Sequence, residues 1–194
     1  MFDDVNLYAP DFYVDCSTIN DPGKVYKIFR DKGIKKAYVY AIAYRKTPFE
    51  FDFFKVGLSN PTLDKKRKHQ VGERVVRQLS WLPGWRKSVT SSNGYDLWNG
   101  IQKLIDQGII DKKFDKNLVT VGVWDITKRL PNLKVFITNE NQPVQWAEGE
   151  LSQQYERTFG WRPRLNEVNP ATTAAHKQGY LSKEIWANNF AEIS

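Results

Sequence analysis

The chain has 194 residues, 41% of them hydrophobic and 14% aromatic, and 29 lysines and arginines stand against 22 acids for a net charge of +7. A single cysteine excludes an intrachain disulfide, and two histidines with one cysteine do not make a structural zinc site. The longest apolar run, the seven residues Tyr38 to Tyr44, is far short of the roughly 20 that a membrane helix needs.

The basic excess favours a polyanionic partner, nucleic acid first and an anionic membrane surface second. Met1-Phe2-Asp3-Asp4 has no basic region before an apolar stretch, so no secretory signal is read there and a cytoplasmic protein is the default. The length suits one domain with a real core, or one domain and a small appendage.

In chain order, residues 1–20 read as irregular. Asp21-Pro22-Gly23 opens a helix over about 22–32, with Val25, Ile28 and Phe29 on one face and Gly33 after its end. Strands follow at about 36–44 and 50–57, joined by a polar turn through Arg45-Lys46-Thr47-Pro48. Residues 58–71 are polar and hold the run Lys65-Lys66-Arg67-Lys68. A helix over about 72–82 stops at Pro83-Gly84. Another over about 94–107 puts Leu97, Ile101, Leu104 and Ile105 on one side, with Gly108 beyond its end. A third strand is expected at 118–126 and a fourth at 133–138. Pro143 suits the first turn of a helix over about 143–159, and a short helix is expected at 182–192. The mixture predicts an α+β (mixed α/β) domain, a small, mostly antiparallel sheet flanked by helices.

Four groups of residues carry chemistry. A turn centred between Thr47 and Pro48 puts Tyr40 opposite Lys55 on one sheet face. An ammonium there lowers the cost of forming the phenolate, so the two make a proton-handling pair. On the helix at 72–82, Val75, Val76, Leu79 and Leu82 face inward, while Arg74, Arg77, Gln78 and Trp81 share another face. Two guanidinium forks beside an indole suit a phosphate; the ordinary alternative is a solvated face. On the helix at 143–159, Glu148 shares a stripe with Val144, Leu151 and Tyr155. An inward carboxylate is costly unless it is paired or binds metal, so the alternatives are a metal ligand and a buried pair with arginine. Glu150 lies ~200° around the helix and should face water. Last, Trp161-Arg162-Pro163-Arg164-Leu165-Asn166 reads as a rigid basic turn. His69 and His176 have no ligand-type neighbours in the sequence.

Taken in order, these pieces resemble the GIY-YIG nuclease superfamily over about residues 36–166. Tyr38-Val39-Tyr40 stands for the first motif and Lys55-Val56-Gly57 for the second. Arg74-Val75-Val76-Arg77-Gln78 resembles the arginine helix, Ala147-Glu148-Gly149-Glu150-Leu151 the glutamate helix, and Arg164-Leu165-Asn166 the closing asparagine. The first glycine is replaced by Tyr38, the second tyrosine by Lys55 (as in restriction-enzyme members), and the helix histidine by Gln78. Arg67 competes with Arg74 for the arginine role; Arg74 is preferred because the following Val75 packs inward.

The resemblance implies a GIY-YIG-like nuclease core at 36–166, an N-terminal extension at 1–35, an insertion at about 83–116 and a tail at 167–194. It implies a metal-dependent DNA endonuclease, of restriction or phage DNA-processing type. Glu148 would bind one Mg²⁺ or Mn²⁺, Arg74 would hold the scissile phosphate, and Tyr40 would be the general base. Lys55 would favour the deprotonated tyrosine or position the water, and Asn166 would steady the site. Lys65, Lys66, Arg67, Arg77, Gln78 and Arg164 would contact the DNA backbone and make binding salt-sensitive. Oligomeric state is left open. The rival readings are a non-catalytic nucleic-acid-binding domain on the same scaffold and a structural or interaction protein.

Overall fold

The computed structural model describes residues 10–34, 37–47, 50–59, 70–85, 97–111, 113–129, 147–149 and 151–152. Among them is a four-stranded antiparallel sheet in the order β1-β4-β2-β3, with helices packed against it, so the fold is α+β. The strands are β1 (Phe12–Asp15), β2 (Tyr38–Thr47), β3 (Glu50–Ser59) and β4 (Val119–Asp125). The helices are α1 (Lys24–Asp31), α2 (Glu73–Leu79), α3 (Leu97–Asp106) and the single turn α4 (Ile126–Arg129). Residues 147–149 and 151–152 are also helical. No helix among the described residues is long and apolar enough to cross a membrane.

One face of the sheet is built by strict alternation. Tyr38, Tyr40, Ile42 and Tyr44 of β2 lie beside Val119, Val121 and Val123 of β4 and Phe12 and Val14 of β1. Onto this face α1 brings Val25 and Phe29, α2 brings Val75 and Leu79, and α3 brings Leu97, Ile101 and Leu104. Phe29 meets Phe12 and Tyr38 edge-on, with ring centroids 5.3 and 4.9 Å away. Such pairs add about 0.5–1.5 kcal/mol each beyond the area they bury. The alternate residues Val39, Ala41, Ala43, Thr120 and Trp124 are buried too, so the two central strands are covered on both faces.

The helix ends follow from the glycines. Gly33 takes φ +75° after α1, and the bonds Gly33 N–H to Arg30 O and Ile34 N–H to Phe29 O close the carbonyl end. Gly108 does the same for α3 with φ +70° and the Ile109 N–H to Leu104 O bond.

Two parts differ from the sequence reading. Residues 12–15 form a strand where the sequence reads as irregular, so the segment read as an extension supplies β1 and α1 to the sheet and its core. The hairpin strands also run further than expected, β2 on to Thr47 and β3 on to Ser59, and Thr47 pairs with Glu50. The fourth strand at 133–138 and the helix at 182–192 fall outside the described residues. Cys16 is buried and free, and burial, with Asp15 adding and Lys116 opposing, pushes its thiol up to about 12.

Candidate active site

The hairpin sets the floor of the site. Because it turns later than the Thr47–Pro48 centre, Tyr40 lies opposite Gly57 and Ile42 opposite Lys55, which corrects the expected Tyr40–Lys55 pairing. The slip is by two residues, so both side chains keep one face and become diagonal neighbours, within reach for a long side chain. Just beyond Lys55 the ladder breaks: Ile42 pairs with Lys55 but Ala43 with Phe53, leaving Phe54 as an extra residue. Such a bulge sharpens the local twist, and it ends the regular pairing at Lys55.

Gly57 has a steric reason to be glycine. A Cβ there would stand 2.5 Å from both Cζ and Oη of Tyr40 and 3.0 Å from Cε1. The phenol ring therefore lies flat across the bare backbone of β3, with only 2% of Tyr40 exposed.

Arg74 comes from α2. That helix starts at Gly72, whose φ of +93° favours glycine, and is anchored by the fully buried Val75 and Leu79. Arg74 in its first turn is exposed, yet its charge bears on Tyr38, Tyr40 and Glu148. Glu148 comes from the helical residues 147–149 and 151–152, seated by the buried Ala147 and Leu151, and the Ser152 hydroxyl donates to the Glu148 carbonyl at 3.0 Å. Its carboxyl is half-buried. Burial pushes it up to about 7, opposed first by the Lys55 ammonium and then by the Arg74 guanidinium. Tyr40, Lys55, Arg74 and Glu148, drawn from four separate segments, thus share one electrostatic site.

The electrostatics of Tyr40 correct a second expectation. Its phenol is pushed above the ordinary value, first by burial, then by Tyr38; Arg74 opposes this and Glu148 adds to it. The cation acting on the phenol is Arg74, while the Lys55 field falls on Glu148. Burial outweighs the guanidinium, so Tyr40 stays a neutral O–H at physiological pH rather than a ready phenolate.

The remaining candidates divide. Arg77 is exposed and bound to Glu73 by a 2.6 Å ion pair within the helix. Gln78 is half-buried, and its side-chain oxygen is buried without a hydrogen bond. Lys65, Lys66, Arg67, Glu150, Arg164 and Asn166 lie outside the described residues. Tyr38, which the sequence marks only as a replaced glycine, is on the same face as Tyr40 with ring centroids 6.2 Å apart. The two-residue alternation of β2 was the signal that could have found it.

Among the described residues, no three histidines, cysteines or acids gather to hold a metal ion. The Glu148 carboxylate nonetheless fits a divalent cation. It is an oxygen donor partly withdrawn from water, and burial disfavours its charge despite two cations nearby. No family model, no curated protein and no solved structure matches the chain.

Proposed function

We propose that the protein is a divalent-metal-dependent DNA endonuclease of GIY-YIG type, serving restriction or phage DNA processing in the cytoplasm, the host's if it is phage-encoded. The observation that carries this reading is the half-buried Glu148 carboxyl, raised to about 7 by burial while Lys55 and Arg74 act on it. A structural glutamate is more simply accommodated by a direct ion pair; a carboxyl held near cations and a phenol resembles a phosphodiester-cleaving site.

Glu148 would hold one Mg²⁺ or Mn²⁺, which when bound supplies Lewis acidity at a phosphate oxygen and offsets the Glu148 charge that, after burial and Tyr38, adds to the rise of the Tyr40 phenol. Arg74, exposed and always charged, grips the scissile phosphate and offsets the charge that develops on it. Tyr40 keeps its proton on Oη in the free protein, so it starts as a hydroxyl that orients the attacking water. Lys55 holds the Glu148 carboxyl toward its ionised form, and so keeps the ligand available at neutral pH. Gly57 leaves the space in which the Tyr40 ring reaches the site. Asn166 and the basic residues Lys65, Lys66, Arg67, Arg77 and Arg164 would steady the site and the DNA backbone, and make affinity fall with salt.

The raised Tyr40 phenol favours one second reading, a nucleic-acid-binding domain without turnover. The two separate on supercoiled plasmid incubated with Mg²⁺, Mn²⁺ or EDTA. Nicking or linearisation that needs the metal and is lost in Glu148→Ala is expected, with DNA binding retained. Salt-sensitive binding with no cleavage under any condition would leave the binding domain; normal cutting by Glu148→Ala would remove the metal assignment.

A further inference from the structure

Tyr38 is the largest fully buried side chain among the described residues, and its hydroxyl has no hydrogen bond of full geometry. A buried, unsatisfied hydroxyl is a standing cost that phenylalanine would avoid with the same ring packing, so it calls for a reason. Its surroundings supply one. Tyr38 pairs across the ladder with Ser59 at the end of β3. Its ring is edge-on to Phe29, and a Cβ on Gly72, where α2 starts, would come 3.4 Å from that same Phe29 ring. Besides burial, the groups acting on its hydroxyl are Ser59, the Gly72 backbone, Arg74 and Tyr26. Tyr38 therefore sits in the seam between β2, β3 and the first turn of α2, against the ring of Tyr40 on its other side.

We propose that Tyr38 is a positioning residue for Arg74: its hydroxyl, in the seam at the start of α2, fixes where the guanidinium stands relative to Tyr40 and Glu148. The hydroxyl oxygen accepts from the Ser59 hydroxyl and from the Gly72 N–H at the start of α2, and the bonds tighten when a phosphate holds Arg74 in place. The ring is too deeply buried to touch substrate itself. The role rests on the proposal that Arg74 grips a phosphate, but not on hydrolysis.

The test is therefore made on binding, with the full chain in EDTA and a fluorescent DNA duplex followed by anisotropy. Tyr38→Phe, Arg74→Ala and the double variant are compared with wild type, with thermal midpoints alongside. Tyr38→Phe should weaken binding about fivefold, the scale of one ordinary net hydrogen bond, with an unchanged or higher midpoint. The double variant should bind no worse than Arg74→Ala, because one residue acts through the other. Unaltered affinity in Tyr38→Phe, full additivity, an Arg74→Ala variant that binds normally, or a lowered Tyr38→Phe midpoint would each overturn the proposal. Expected binding with no plasmid cleavage by wild type would remove the nuclease reading and leave Tyr38 in its role. Metal-dependent cleavage with unchanged Tyr38→Phe affinity would do the reverse.

Discussion

Replacing Gly57 by alanine tests the packing on which the site depends. In an ordinary strand interior this change stabilises, because glycine there costs about 0.5–1 kcal/mol relative to alanine. Here the new methyl would lie 2.5 Å from Cζ and Oη of Tyr40, about 1 Å or more inside normal carbon contact. The Tyr40 ring has little room to yield, being 2% exposed and packed among core side chains. Overpacking of this kind costs about 1–3 kcal/mol, so the clash wins by about 1–2 kcal/mol. For a chain of this size, that lowers the thermal midpoint by about 3–6 °C. The assay is thermal unfolding of Gly57→Ala in the wild-type and Tyr40→Ala backgrounds. With the ring gone, the same methyl should be neutral or stabilising, and the cycle should show the coupling directly. A higher midpoint for Gly57→Ala in the wild-type background would refute the argument that the ring lies across this glycine.

Two further tests reach other parts of the molecule. Glu148 ionises at about 7 in the fold against 4.5 for the free group, so the folded state holds the extra proton between those values. Stability should therefore fall as pH rises from about 4.5 to 7, by on the order of 3 kcal/mol at most, and Glu148→Gln in EDTA should remove that slope. Parallel midpoint–pH curves for the two proteins would refute the shift. Cys16 is fully buried and its thiol is raised to about 12, so iodoacetamide at pH 8 should leave the native protein unlabelled and modify it fully in denaturant. Rapid native labelling would contradict that burial.

The sequence made parity legible but not register. Alternation in Tyr38-Val39-Tyr40 and Lys55-Val56-Gly57 is enough to put Tyr40 and Lys55 on one face, because a slip of two residues preserves it. The partner itself depends on where the hairpin turns, and Pro48 with its polar neighbours drew that point too early. Helix faces were legible for a similar reason. Leu97, Ile101, Leu104 and Ile105 all reach the core at the spacing their helix demands. β1 was hidden because only Phe12 and Val14 of its four residues face the core, too few for a period to emerge. The Tyr40 ionisation was out of reach for a different reason: it depends on how deeply the ring is buried and on which cation stands nearest, and both are set by tertiary packing.

The ladder breaks between Ile42 and Ala43 and again between Arg45 and Thr47, first with an extra residue on β3 and then with one on β2, so the two offsets cancel. The hairpin is thus joined in separately phased pieces, and the two ends do not tolerate length changes alike. Deleting one residue beyond Phe54, toward the tip, can be absorbed at an existing irregularity and leaves Tyr40, Gly57 and Lys55 where they are. Deleting one between Lys55 and Ser59 turns Lys55 to the far face of the sheet, away from Tyr40 and Glu148. The tip is therefore where this chain can accept insertions, tags or a foreign loop, and the four residues after Lys55 are where its spacing is fixed.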